Sequence, residues 1–168
     1  MKLRNGQPKL LTEKVLSQQG DAFWYEMVHD TYQGRSIEQF LVAFEEHGRR
    51  LHVDLLALRT KDAKGHVIEF SAKVLSLHVV TFDTYREKMA SLVLPWRPQP
   101  QETTAVPAGR FEGCYRGHSE IGMGPRKWIE DIWVHPSVPL SGVVRVNTNR
   151  GFVSELVGYG TTGARGEF

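Results

Sequence analysis

The side chains able to do chemistry in this chain are few. His118 and Glu120 lie two residues apart, as same-face neighbours on a strand do, and Asp131 and His135 sit on the next strand-like segment. Three or four such groups converging would make a nitrogen–oxygen donor set for zinc. Neither an HExxH motif nor a compact Cys/His cluster accompanies them, so the spacing reads as exposed polar strand positions rather than a metal site. His29, His47, His52, His66 and His78 are scattered, and nothing in the order of the chain gathers them. Ser119 and Ser154 could each be paired with a histidine for acyl transfer, but neither sits in a Gly-x-Ser-x-Gly elbow. Cys114, between Gly113 and Tyr115, reads as a buried, inert thiol. Glu130 and Asp131 are adjacent, so on a strand they face opposite sides and cannot act as a carboxylate pair. The basic loop Gly122-Met123-Gly124-Pro125-Arg126-Lys127 lacks Walker spacing and no helix follows to receive a phosphate. It reads as a hairpin tip. These residues imply no catalytic site, no metal and no cofactor.

The elements that must carry these residues are mostly strands. Lys9 to Leu16 and Ala22 to His29 alternate in the manner of strands. In the second, Phe23, Tyr25 and Met27 share one face, while Trp24, Glu26 and Val28 share the other. Neither face is wholly polar, which predicts a sheet covered in part on both sides. Ile37 to Phe44 fits both periods, since Phe40, Val42 and Phe44 alternate while Ile37, Phe40, Leu41 and Phe44 fit a helical stripe. A turn at Gly48 leading back along Leu51–Leu58 favours a strand. His66 to Phe70 pairs back, and Val74 to Val80 continues extended. Phe82 to Leu94 is the helix candidate, with Phe82, Tyr85, Met89 and Leu92 on one stripe and Pro95 as its stop. Residues from Pro95 to Thr104 read as a linker. Four strands follow, near Gly109–Glu120, Lys127–His135, Gly142–Asn147 and Phe152–Tyr159, with a hairpin loop over Asn147–Gly151.

The totals agree with one soluble globular domain. The chain has 168 residues, 40% hydrophobic and 24% charged, enough to bury a core without staples. A formal net charge of +2 gives no electrostatic footprint for nucleic acid. A single cysteine excludes an intrachain disulfide, and no apolar run approaches the roughly 18 residues of a membrane span. The start of the chain has a charged opening but no apolar signal-peptide core.

The later segments resemble a known pattern. Val106-Pro107-Ala108-Gly109-x-Phe111, then Trp133-Val134-His135-Pro136-x-Val138-Pro139-Leu140-x-Gly142-Val143-Val144, then Glu155-Leu156-Val157-x-Tyr159-Gly160 resemble uncharacterised exported bacterial domains. Those domains are similar to the half-barrels of the lipoprotein-carrier and lipoprotein-localisation superfamily. The resemblance covers about the last third of the chain and implies a fold neighbourhood and an envelope setting, with no functional residue to carry over. Independently of it, Pro107, Gly109, Pro136, Pro139 and Gly142 are residues that turn and bend a sheet.

The expected fold is α+β, mostly β: one strongly curved antiparallel sheet, a half-barrel of about seven to nine strands, wrapping one or two helices over residues 1–160. Residues 161–168 form a flexible tail. The expected function is non-enzymatic: an envelope-associated domain that holds a lipid, an acyl chain or a protein partner on its concave face. Its expected lining is Phe23, Tyr25, Met27, Phe82, Tyr85, Met89 and Trp133. The alternative is a scaffolding module of an envelope complex with a filled core. The expected location is periplasmic or outer-membrane associated if a signal peptide precedes this chain, and otherwise cytoplasmic.

Overall fold

The computed structural model describes residues 10–47, 50–77, 101–121 and 127–168. Among the described residues the protein is mostly β, about 65% strand, antiparallel and almost without helix. The described residues form two compact units, one holding 10–77 together with Gly163–Phe168, the other holding 101–162.

The first unit is a five-stranded antiparallel meander, β1 (Leu10–Gln19), β2 (Ala22–Thr31), β3 (Gly34–His47), β4 (Arg50–Lys61) and β5 (Val67–Ser71), paired in chain order and curled as a half-barrel. Two bulges break the period-two alternation. In β4, Leu41 pairs Ala57 and Val42 pairs Leu55, so Leu56 is the extra residue. That insertion explains why Val53, Leu55 and Leu58 all face the core although 55 and 58 differ in parity. In β1, Val15 pairs Tyr25 and Ser17 pairs Trp24, leaving Leu16 as the bulged residue. Each bulge adds local twist, which is how a sheet curls.

The core of this unit is the inner face: Tyr25 and Met27 from β2, Phe40 and Val42 from β3, Val53, Leu55 and Leu58 from β4, and Leu75. Leu75 belongs to the short helix α1 (Ala72–Leu77), which packs on β4 and β5 and is fully buried at that residue. The sequence reading has residues from Val74 onward extended. The structure replaces that with a turn and a half of helix, six residues being too few for a helical period to show. The helix expected over Phe82–Leu94 lies outside the described residues.

The second unit is a second meander, β6 (Gln101–Val106), β7 (Gly109–Ile121), β8 (Trp128–Val134), β9 (Val143–Thr148) and β10 (Val153–Glu155). Residues 101–104, the described part of the expected linker, belong to the strand β6. The Pro107-Ala108 pair is a two-residue hairpin turn, with Gly109 at φ 136° closing it. β7 carries a bulge at Gly113, φ 79°, a conformation open to glycine. It lets Phe111 and Cys114, three apart, both turn inward beside Val138 and Val144. Instead of one sheet of seven to nine strands, the described residues thus hold two sheets of five. The hairpin loop expected over 147–151 lies at 149–152, since β9 runs to Thr148 and Asn147 pairs Val153; Gly151 turns in it at φ 75°.

Candidate functional site

The inner face of β1–β5 positions three of the seven expected lining residues. Tyr25 and Met27 are buried in its core, and Phe23, of the same parity on β2, is half-buried. Trp133 is on β8, in the other unit, where its indole N–H donates to Glu102 at 2.9 Å. Phe82, Tyr85 and Met89 lie outside the described residues.

One feature of this face is chemically unfinished. The Tyr25 hydroxyl is buried and has no hydrogen-bond partner. Burial first, and the neighbouring Glu13 carboxylate second, push its pKa well above the ordinary 10.0. The Glu13 carboxylate acts on the hydroxyl both by its charge and by hydrogen-bonding reach, although the two groups do not meet in full hydrogen-bond geometry. A buried hydroxyl left without a partner costs on the order of 1–3 kcal/mol. The register puts Leu11 and Val15 of β1 and Ile68 of β5 on the same face, at its two edges. They are 40%, 41% and 54% exposed. One end of the face is polar, with Glu13, His29 and Glu38, and the His29 ring lies 3.4 Å from the Glu38 carboxylate.

The opposite face of the same sheet carries a buried carboxylate. Glu26, on β2, is flanked by Lys14 on β1 and Gln39 on β3, directly across the ladder. Its Oε1 accepts from Lys14 Nζ at 3.1 Å and its Oε2 from Gln39 Nε2 at 2.8 Å. The backbone N–H of Glu167 also donates to Oε2, at 2.9 Å. The segment Gly163–Phe168 therefore lies across this face. Lys14 Nζ, with three donors, serves Glu26, the Arg165 carbonyl at 3.2 Å and the Glu167 carboxylate. Arg35 Nη1 holds the other Glu167 oxygen at 2.7 Å, while its remaining nitrogens grip Asp30. Lys61 lies over the Phe168 ring. Within the segment expected as a flexible tail, residues 165 and 167 are hydrogen-bonded to the sheet. Sequence reasoning missed it, although Glu26 in the middle of an apolar strand was a signal that something polar must meet it.

The hydrogen bond from Lys14, above all, holds the Glu167 carboxyl below its ordinary value of 4.5. Burial opposes the charge on Lys14, but its bonds to Glu167 and Glu26 outweigh that and raise its pKa. A carboxylate depressed in the folded state adds stability that is present above its unfolded value and lost as pH falls through the folded one. Docking of Gly163–Phe168 is therefore expected to be complete above pH 4.5 and to loosen only below it. Following the Glu167 amide by NMR through an acid titration checks this. The midpoint should fall below 4.5 in the wild type and move up towards it in Lys14→Met.

On the second sheet, His118 and Asp131 meet directly across β7 and β8, Nδ1 to Oδ1 2.8 Å. Arg116 reaches the same carboxylate at 3.2 Å and spans to Glu102, with its guanidinium over Trp133. The hydrogen bond from His118, then the Arg116 charge, lowers the Asp131 pKa. His135 is engaged elsewhere. Its Nδ1 accepts from the Ser137 backbone N–H at 3.1 Å, so its Nε2–H donates to the Glu112 carbonyl at 3.1 Å. Asp131 and His135 are therefore not brought together. Ser154 sits in β10 opposite Val146, and the side chains of Ser119 and Glu120 are outside those described. Cys114 is buried, which raises its pKa. Among the described residues, no three potential ligands are gathered for a metal, and no helix is long and apolar enough to cross a membrane.

The class the geometry defines is a mostly-β, antiparallel scaffold with a curled sheet. Comparison with protein-family models, curated proteins and solved structures gives no match to this chain.

Proposed function

We propose that the β1–β5 half-barrel is a non-enzymatic binding module whose inner face takes an amphiphile: an acyl chain with a polar group able to hydrogen-bond. The observation that carries this reading is the Tyr25 hydroxyl, buried beside the Glu13 carboxylate with no partner in full hydrogen-bond geometry. The exposed Leu11, Val15 and Ile68 at the edges of the same face, and the polar end at Glu13, His29 and Glu38, suit the two parts of such a ligand. Envelope association belongs to the same proposal and rests on the resemblance of residues 106–160 to exported half-barrel domains. A structural module with a filled core is the second reading, favoured by Leu75, which already sits fully buried on that face.

Native mass spectrometry of protein purified without detergent separates the two. A co-purified lipid adduct is expected, and a long-chain fatty-acid probe should displace it. Tyr25→Phe should weaken the probe about 5- to 10-fold, the worth of one hydrogen bond of roughly 1–1.5 kcal/mol. Clean apo masses together with no probe binding would leave the filled-core reading standing.

A further inference from the structure

We infer that the outer face of β1–β5 is a peptide-recognition site for the sequence Arg165-Gly166-Glu167-Phe168, occupied in cis by the chain's own segment and open in trans to that of a second copy. This site is on the opposite face from the proposed ligand and does not depend on it.

Each residue of the segment is read differently. The Arg165 carbonyl and the Glu167 N–H are bound through the backbone, by Lys14 and Glu26. Gly166 is read by absence. A β-carbon there would stand 3.3 Å from Leu16 Cδ1, 3.4 Å from Gln39 Nε2 and 3.6 Å from Glu26 Oε2. The bulge in β1 supplies that wall, since it makes Leu16 the unpaired residue of the strand. The Glu167 carboxylate is shared by two cations from different strands, Lys14 and Arg35. Phe168 lies beneath the Lys61 ammonium, 5.9 Å from its ring centre. The receptor side is built rather than incidental. Glu26 is wholly buried, and the Glu167 N–H completes its coordination.

The occupant follows from the connection. Residues 157–162 are exposed and belong to no strand or helix, and Gly158, Gly160 and Gly163 punctuate the stretch up to the docked segment. Every copy carries both receptor and ligand on such a tether. Exchange between two copies would therefore satisfy both faces by the same contacts, the reciprocal geometry of a swapped dimer.

The test uses the full chain. Gly166→Val lies in the segment and leaves the sheet untouched, while its branched side chain meets Leu16 and Gln39. The Glu167 amide should lose its exchange protection in this variant. A fluorescent synthetic peptide spanning Gly163–Phe168 should then bind. An attached competitor acts at an effective concentration on the order of millimolar, so wild type should bind the peptide at least about tenfold more weakly than Gly166→Val. The same peptide with Glu167→Lys should bind neither. For the second copy, Gly166→Val is mixed with K14M/E26L/Q39L, which keeps the segment but lacks the receptor's polar atoms. Native mass spectrometry should show the heterodimer in the mixture and monomers in each variant alone. A protected Glu167 amide in Gly166→Val, or equal peptide binding by wild type and variant, would overturn recognition of the segment. Peptide binding without the heterodimer would overturn the second copy as its occupant.

Discussion

Phe40→Ala is expected to remove about 3–5 kcal/mol from the first unit, the range for truncating a fully buried aromatic ring. Phe40 is the residue on which the inner face closes. It pairs Tyr25 on β2 and Leu58 on β4, has no exposed surface, and its ring centre lies 6.3 Å from that of Tyr25. Alanine would leave a cavity between three strands whose backbones are tied together by the ladder and cannot collapse into it. Native domains hold only about 5–15 kcal/mol in reserve, so the variant should lose a third or more of its margin. Urea unfolding followed by circular dichroism, with amide exchange in β3 to assign the transition, measures it. Phe44, on the same face but only partly buried, supplies the internal comparison and should cost less. A loss below about 1 kcal/mol for Phe40→Ala would mean the face does not close on that ring, since such small values belong to surface positions.

How far the sequence carried this is uneven, and the reasons are physical. The alternation of Phe23, Tyr25 and Met27 against Trp24, Glu26 and Val28 was legible, because side-chain direction in a strand has a period of two whatever it pairs with. The structure buries residues on both faces, as that pattern implies. The choice of strand over helix for Ile37–Phe44 also holds, since Phe40 and Val42 enter the core by alternation. Leu55 and Leu58 defeated periodicity because a bulge at Leu56 resets the phase, and no residue type marks it. The division into two five-stranded sheets was equally hidden. Apolar period says which residues share a face, not whether one strand pairs with the next. Residues 101–104 were read as linker because Gln-Glu-Thr-Thr carries little apolar signal, although Thr104 is buried in the ladder opposite Phe111. Of the expected lining, Tyr25 and Met27 share one buried face, as their parity implies, while Trp133 belongs to β8 in the other sheet, a division that an aromatic residue on a strand does not reveal. The docked segment was illegible for another reason. Its contacts join residues more than 130 positions apart, and Gly-Glu reads as a polar end unless the partner of Glu26 is sought.

That partner makes the sharpest energetic test. Lys14→Met is expected to destabilise the first unit by about 2–3 kcal/mol, somewhat below the usual cost of stripping one member from a buried pair. The discount has a structural reason, since Gln39 and the Glu167 N–H still hold the Glu26 carboxylate after the ammonium is gone. K14M/E26L/Q39L, with more changes, should be the less damaged protein, within about 1 kcal/mol of wild type, because well-packed apolar side chains replace buried polar groups at little net cost. It leaves the Glu167 N–H without its acceptor, but that group can then turn to water. The triple variant should therefore unfold near the wild-type urea midpoint while its Glu167 amide exchanges freely. Sheet stability and segment docking would come apart in one molecule. If instead the triple variant is as unstable as Lys14→Met, the buried carboxylate contributes to the sheet itself. If both variants match wild type, the Lys14–Glu26 pair is a surface pair of no consequence. The expected order, single variant worst and triple variant nearly restored, follows from one asymmetry: an ion pair contributes little when whole, and half of one left in a dry place costs a great deal.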